Sequence, residues 1–179
     1  MALADYTDRK PVIDTARLHL RPMRPEDVPA LEEWMPDKSI YAYWGKGPGK
    51  TDKNPSLLFA KPERPTKSFH LGIEEKATGK VVGDLWVYRI ENDRVATVAI
   101  RLAPSRHGKG YGTEALSAMT RFCFEYTELR HLRAEVDVRN AASRRMLEKC
   151  GYLQESPVRH GKMVSVLCDH CVYEIVRPR

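Results

Sequence analysis

The sequence lacks the features that mark membrane, secreted and repetitive proteins. No window of its 179 residues approaches the roughly 18 consecutive apolar residues that a membrane-spanning helix needs. The first residues include acids and no apolar core of a signal peptide, so we expect a cytoplasmic protein without a secretory signal. No internal repeat or low-complexity tract occurs. Hydrophobic residues make up 42% and charged residues 30%, which favours one globular domain over residues 1–179.

Cysteine is scarce and unevenly placed. The four cysteines lie in the C-terminal third of the chain, at Cys123, Cys150, Cys168 and Cys171. Cys168 and Cys171 have a CxxC spacing, but they fall in a strand-like run in which alternation sends their side chains to opposite faces. We therefore expect buried free thiols and no metal site.

Positive charge exceeds negative charge only modestly, by a net +6. The basic residues are scattered, and neither a Lys/Arg block nor a nucleic-acid-binding motif occurs. The sequence therefore does not predict a nucleic-acid partner. It indicates a solvated basic surface with a few contacts to phosphate.

The order of predicted elements is mixed α/β, with a long loop at 45–67 that includes a short helix at 55–60. The other elements are strands at 17–21, 69–73, 81–90, 95–102, 132–138, 152–159 and 163–176, and helices from Pro25, at 113–126 and at 141–149. The last two strands are predicted to pair around a turn at 160–162. This order indicates antiparallel strands first, then a β-α-β-α crossover, then a closing hairpin.

A glycine-rich turn, HGKGYGT at 107–113, connects the strand at 95–102 to the following helix. Gly108, Gly110 and Gly112 let the backbone adopt positive φ and approach a bulky anion. The first amides of a helix are unpaired and carry partial positive charge, to which Arg106 and Lys109 add full charges. The turn therefore predicts a pyrophosphate site.

A second glycine-rich segment, WGKGPGKT from Trp44 to Thr51, comes close to an ATP-binding P-loop. Trp44 stands where the first glycine of that motif belongs, and Pro55 disfavours a continuous helix after it. We interpret this segment as an ordered loop near a substrate entrance.

Three segments in the right order resemble the GNAT N-acetyltransferases. HGKGYG at 107–112 is similar to the family's Q/R-x-x-G-x-G/A signature. TARLHLR at 15–21 and NAASRRMLEKCGY at 140–152 resemble the first strand and the NxxS…EKxGF/Y helix of the Rim-type branch, which acetylates ribosomal-protein N-termini. The resemblance implies a single GNAT-like α/β (α+β) domain, with a mixed, mostly antiparallel sheet and an acyl-CoA-binding β-α-β-α crossover.

The resemblance also implies N-acetyl transfer from acetyl-CoA, as co-substrate, to a primary amine by direct attack in a ternary complex, without a metal. Acetyl-CoA would lie in a V-shaped gap between the strands at 95–102 and 132–138, with its pantetheine arm on the backbone near Leu102. The cofactor-binding residues implied are Leu102, Arg106, Gly108, Lys109, Gly110, Tyr111, Gly112, Thr113, Asn140 and Ser143.

The catalytic acid is less clearly indicated, because three positions depart from the family pattern. His107 replaces the usual Gln or Arg, Thr97 stands where the branch often has an acid, and Leu147 occupies the position of a common tyrosine acid. The branch-specific substitute is Ser143, whose hydroxyl would protonate the departing thiolate. The alternative is that Ser143 only completes the first turn of a helix capped by Asn140.

The general base is left open by the sequence. Glu135 and Asp137 alternate with apolar residues, so both face the cleft or both face solvent. Asp84 interrupts an apolar strand, for which a solvated edge face is the simpler explanation. A chain of water molecules is an equal alternative, and His19 and His70 are expected at the surface or as satisfied core residues.

The acceptor is also left open, among an N-terminal peptide, a polyamine and an aminoglycoside-like amine. Loops such as 36–67 are expected to select it, and they carry no recognisable signature. The alternative function is a non-catalytic acyl-CoA-binding module or regulator. A homodimer is one option for the oligomeric state, and no membrane partner is expected.

Overall fold

The computed structural model describes residues 10–44, 47–60, 68–163 and 166–178. Its described part contains a nine-stranded sheet in the order β1-β2-β3-β4-β5-β6-β9-β7, with β8 pairing only with β9. The strands are β1 (Ile13–Asp14), β2 (Leu18–Arg21), β3 (Phe69–Glu75), β4 (Lys80–Glu91), β5 (Val95–Leu102), β6 (His131–Asp137), β7 (Leu153–Gln154), β8 (Arg159–Met163) and β9 (Val166–Val176). All pairs are antiparallel except β5 with β6, so the predicted mixed, mostly antiparallel sheet is confirmed.

Two helices of full length cross over on one side of the sheet. They are α3 (Tyr111–Tyr126) and α4 (Ala141–Lys149), while α1 (Val28–Glu32) and α2 (Lys50–Lys53) are short. The segments at Pro25–Asp27, Lys38–Tyr41, Pro55–Leu58 and Pro104–Arg106 form 3-10 turns. The helix expected at 55–60 is therefore a 3-10 turn, and residues 45–46 and 61–67 of the predicted loop lie outside the described residues.

The core lies between the sheet and these two helices. Every second strand residue faces it, as in Leu71, Leu85 and Val98 on three successive strands, and α3 covers them with Leu116 and Met119. All five side chains are at least 96% buried, and burial of each large aliphatic side chain stabilises the fold by about 1.5–3 kcal/mol. The opposite face of the sheet, called the open face below, carries polar and aromatic side chains.

The ends of α4 follow from its sequence. Asn140 Oδ1 accepts a hydrogen bond from the Ser143 amide at 3.1 Å, which caps the first turn. Gly151 has φ +85°, and the Tyr152 amide bonds to the Leu147 carbonyl at 3.0 Å, so the helix ends on a left-handed glycine. Both predicted signals are confirmed.

The predicted turn of the closing hairpin is wrong. Residues 160–162 are paired with β9 inside the ladder, which continues to Met163 opposite Val166, so they do not form the turn; residues 164–165 lie outside the described residues. Gly161 pairs with Cys168 inside the ladder, where a Cβ atom would lie 3.3 Å from His170 Cε1. The glycine therefore leaves room for the His170 ring, and the sequence did not distinguish this role from that of a glycine in a turn.

All four cysteines are free thiols, and Cys123, Cys168 and Cys171 are buried. Cys168 pairs with β8 and Cys171 with β6, so they lie against different neighbours in the sheet.

Within the described ranges, no helix has the length and apolar character needed to cross a membrane.

Candidate active site

The central feature of the sheet is a gap between β5 and β6. These parallel strands pair at only three positions, ending with Thr97 opposite Arg133. Beyond that point β5 remains paired with β4 as far as Leu102, and β6 remains paired with β9 as far as Asp137. Two strands that stay bonded to their outer neighbours but not to each other must diverge, which confirms a V-shaped gap.

The backbone of β5 presents hydrogen-bonding groups to this gap. The Ala103 amide bonds to the Val82 carbonyl at 2.8 Å, on the β4 side. Because backbone groups alternate along a strand, those of Leu102 and Ile100 point to the gap. The Leu102 carbonyl lies 3.0 Å from His107 Nε2. His107, at the first position of the glycine-rich turn, therefore reaches back to the end of β5.

The glycine-rich turn places free amides beside the open end of the gap. Gly108 and Gly110 have φ values of +72° and +79°, in the left-handed region that favours glycine. Gly110 is the N-cap of α3, and the first bond of the helix runs from the Glu114 amide to the Gly110 carbonyl at 3.0 Å. The amides of residues 111–113 therefore have no intrahelical partner and can bind an anion.

The third glycine of the turn has a different role. A Cβ atom on Gly112 would lie 2.7 Å from Met146 Sδ and 3.3 Å from Leu102 Cδ1. Its missing side chain lets the start of α3 pack closely against α4 and β5. The sequence suggested the same role for all three glycines. In the structure, Gly108 and Gly110 provide backbone with positive φ, whereas Gly112 provides space for close packing.

Glu75, at the end of β3, binds Arg106, which directly precedes the turn, and Tyr111 within it. Arg106 donates from Nε and Nη2 to its two carboxylate oxygens at 3.0 and 2.8 Å, and the Tyr111 hydroxyl donates at 2.8 Å. The bonds from Arg106, then those from Tyr111 and Thr78, outweigh the effect of burial and lower the pKa of Glu75 to about 2. Glu75 therefore orients the turn, a role that the sequence did not reveal.

Two further cations lie at the turn. Arg17 donates to Glu114 at 2.7 Å and to the Lys109 carbonyl at 2.9 Å, so it braces the start of α3 from the edge of β2. The Lys109 side chain is exposed and makes no ion pair within the described part of the chain. Lys109 is thus the cation of the turn that is most available to a phosphate.

Asn140 and Ser143 lie at the start of α4, directly after β6. Asn140 Oδ1 is occupied by the cap described above, which leaves its NH2 group available. Ser143 takes part in the cap through its backbone amide and not through its hydroxyl. The hydroxyl has no hydrogen-bond partner among the described residues. Capping therefore does not compete with another role for this hydroxyl.

On the open face, both acids of β6 lie on the same side, as alternation predicted. Asp137 accepts from Arg139 at 2.9 and 2.6 Å, and these bonds lower the pKa of Asp137 against the effect of burial. Glu135 accepts from Arg89 at 2.6 Å. Arg89 has φ +50° at a bulge in β4, which aims it across β5. Each acid is therefore already bound to an arginine.

Asp84 is fully buried in the middle of the sheet, so its interpretation as part of a solvated edge is wrong. The guanidinium of Arg101 donates to both carboxylate oxygens, from Nε at 2.9 Å and from Nη2 at 2.5 Å. Burial alone would raise the pKa of Asp84. The charge and hydrogen bonds of Arg101, with a bond from His70, outweigh burial and keep that pKa below its usual value.

Arg101 also ties the loop before α2 to the sheet. Its Nη1 donates to the Tyr41 hydroxyl and to Asp52 Oδ1, both at 2.9 Å. In the same loop, the Trp44 ring lies 6.0 Å from that of Trp86 on β4, and the Arg139 guanidinium lies 6.0 Å from the Tyr43 ring. The segment 41–44, called the roof below, thus has contacts on both sides of the gap.

A polar cavity of about 270 Å³ opens beside the closed end of the gap on the open face. Its lining includes Thr97, Arg133 and the Arg89–Glu135 pair. The described residues thus present backbone groups at the open end of the gap, and charged side chains and aromatic rings on the open face.

Comparisons with known proteins agree with this geometry. Residues 17–153 match the family model described as an acetyltransferase (GNAT) domain. The chain is 25% identical over 174 residues to the uncharacterized N-acetyltransferase YoaA of Bacillus subtilis, which covers 94% of this chain and 98% of that protein.

Two solved structures share the fold. Spermidine N-acetyltransferase from Vibrio cholerae, in complex with CoA and spermine, is 20% identical with a TM-score of 0.76, covering 91% of this chain and 97% of that one. RimJ from Mycobacterium smegmatis, in complex with CoA-disulfide, is 23% identical with a TM-score of 0.77, covering 94% and 88%. With the gap, the glycine-rich turn and the family match together, this chain is an acetyltransferase that belongs to the GNAT family.

Proposed function

We propose that this acetyltransferase transfers the acetyl group of acetyl-CoA to a primary amine by direct attack in a ternary complex. The observation that carries the proposal is the position of the glycine-rich turn at the open end of the gap. One ligand can then lie with its phosphates on the turn and its reactive end between the strands.

The residues present fit coenzyme A. The amides of residues 108–113 and the Lys109 ammonium suit a pyrophosphate, because backbone donors and a helix N-terminus favour negative charge. The backbone groups of Leu102 and Ile100 suit the amides of a pantetheine arm, once His107 leaves the Leu102 carbonyl. The Asn140 NH2 group and Arg106, after it leaves Glu75, are further candidates for contacts to the ligand.

We propose that the acceptor amine approaches from the open face, under the roof. That face carries aromatic rings and ion-paired acids next to the gap, which suit an ammonium group. A polyamine and a peptide N-terminus both have such a group. The carboxylates of Glu135 and Asp137 lie beside the gap on this face, which favours a cationic acceptor.

Ser143 is proposed as the group that protonates the departing thiolate, directly or through water. Its hydroxyl is free within the described residues and lies near the end of β6, and its backbone alone serves the helix cap. A backbone amide of β5 in the gap can stabilise the oxyanion without any side chain.

The proposal is tested with a pair of matched glycine variants. Gly108→Asp places a carboxylate in the turn, and Gly79→Asp makes the same change in the β3–β4 turn. Both positions have positive φ, +72° and +68°, and a Cβ atom meets nothing within 4 Å at either. The two variants should therefore lose similar stability, while only Gly108→Asp repels the phosphates.

The measurements are calorimetric binding of acetyl-CoA and thiol release with spermidine and with short peptides bearing free N-termini. Wild type and Gly79→Asp should bind acetyl-CoA equally and acetylate at least one amine class. Gly108→Asp should bind at least ten-fold more weakly, about 1.4 kcal/mol. Equal affinity in the two folded variants would refute the phosphate site, and binding without turnover on any amine would favour a binding module.

A further inference from the structure

We propose that His70 is the general base that takes the proton from the acceptor amine, with Asp84 as the residue that positions it. This inference rests on the proposed function. It begins from an unusual contact, in which His70 Nε2 lies 3.0 Å from Oδ2 of the fully buried Asp84.

The contact sets the tautomer of His70. Asp84 is a carboxylate held by Arg101, and a carboxylate can only accept hydrogen bonds. His70 must therefore donate from Nε2, which leaves the lone pair of the neutral ring on Nδ1. Among the described residues Nδ1 has no partner, and the side chain is 22% exposed. The basic nitrogen is thus oriented, and no described residue is bonded to it.

His70 differs from the other histidine–carboxylate pairs of the described residues. The acids paired with His19 and His160 are 65% and 57% exposed, and His131 shares Glu174 with Arg133. Only the carboxylate beside His70 is completely buried. Arg101 already binds both oxygens of Asp84, so His70 is not required to compensate the buried charge.

The position of His70 places it on the acceptor side of the gap. His70, Trp86 and Ala99 form one row across β3, β4 and β5, on the open face. The imidazole stacks on Trp86 with ring centroids 4.4 Å apart. Neighbouring strands are about 4.8 Å apart, so the His70 Cα lies roughly 10 Å from that of Ala99, a distance that the side chain and a bridging water can span.

The other titratable groups near the gap are less suited to this role. Thr97 occupies the β5 position where a carboxylate was expected, and it is not a base at neutral pH. Glu135 and Asp137 are bound to Arg89 and Arg139. The charged and polar groups around His70 are Asp84, with Arg101, Tyr41 and Asp52 behind it, and none of them forms a hydrogen bond or ion pair with Nδ1.

The proposed step balances in protons and electrons. Nδ1 takes one proton from the acceptor ammonium, and the amine lone pair forms the C–N bond while the C–S bond breaks. A second proton leaves the nitrogen and reaches the departing thiolate, directly or through Ser143. His70 then releases its proton to solvent.

The test uses His70→Gln with His19→Gln as the matched control, since His19 also pairs with an aspartate but lies on β2, away from the gap. We expect His70→Gln to lower kcat/KM for the acceptor about 100-fold near neutral pH, with acetyl-CoA affinity within two-fold of wild type. The defect should shrink as pH rises and deprotonates the free amine, whereas His19→Gln should match wild type throughout. A kcat/KM within three-fold of the control at every pH would overturn the proposal.

A second measurement does not depend on an acceptor. Nitrogen-15 NMR of the wild-type protein at high pH should show His70 protonated at Nε2 and bare at Nδ1. The opposite tautomer would overturn the proposal even if no amine is turned over. A wild type that binds acetyl-CoA but acetylates nothing, with the expected tautomer, would count against the proposed function and not against the geometry of His70.

Discussion

The two sides of the gap are built by different means. The proposed ligand site at its open end consists of backbone from one short stretch, the end of β5 and the turn at 107–113. The open face consists of side chains from distant parts of the chain, such as Tyr41, Asp52, Asp84 and Arg101. A backbone site is specified by local sequence, whereas a network of side chains exists only after the sheet has formed.

The largest expected effect on stability is at Arg101, which binds Asp84, Tyr41 and Asp52 on the open face. Arg101→Met leaves the buried Asp84 without its cation, and removing one partner of a buried ion pair costs about 3–5 kcal/mol. Arg89→Met is the matched control, because its pair with Glu135 is half-exposed and such pairs contribute about 0–1 kcal/mol. Equilibrium urea unfolding measures both. Equal losses of the free energy of unfolding in the two variants would show that the Arg101–Asp84 pair stabilises the fold no more than the half-exposed Arg89–Glu135 pair does.

A smaller effect is expected at the start of α4. Ser143→Ala should lower kcat by roughly 100-fold if its hydroxyl is the acid, with no change in the free energy of unfolding, because the cap uses its backbone amide. Asn140→Ala should instead cost about 1 kcal/mol of stability. Steady-state kinetics and thermal unfolding of the two variants separate these roles. A full-rate Ser143→Ala enzyme would leave protonation of the thiolate to solvent.

The smallest effect is a pH dependence at Glu75. Its pKa is lowered from 4.5 to about 2 in the folded protein, so its contribution to stability is present above about pH 4.5 and is lost as pH falls toward 2. Glu75→Gln should therefore destabilise the protein more at pH 7 than at pH 3. Urea unfolding at both pH values checks this, and an equal loss at both would contradict the proposed role of Arg106 and Tyr111 in holding that carboxylate.

The sequence predicted the elements that depend on local signals. The glycine-rich turn, the Asn140 cap and Gly151 are all confirmed, because each is a short backbone motif with a characteristic residue. It failed at Gly161, since a glycine inside a ladder and a glycine in a turn have the same sequence signal. It also failed at Asp84, since only the assembled sheet shows that β4 is central and that Arg101 lies opposite.

The roles of His70 and Glu75 could not be predicted for the same reason. His70 becomes distinctive only through the burial of Asp84, which is 14 residues away along the chain. Glu75 binds Arg106 from 31 residues away. In both cases alternation along the strand could be predicted from the sequence, but the partner from another element of the fold could not.

The assignment of acetyl-CoA to the glycine-rich turn and of His70 to the acceptor side is tested most directly by calorimetry. Acetyl-CoA is titrated into wild type, Gly108→Asp and His70→Gln. We predict that Gly108→Asp binds at least ten-fold more weakly, while His70→Gln binds like wild type. If both variants lose affinity alike, or if Gly108→Asp binds like wild type, the assignment of the ligand to the turn and of His70 to the acceptor side is contradicted.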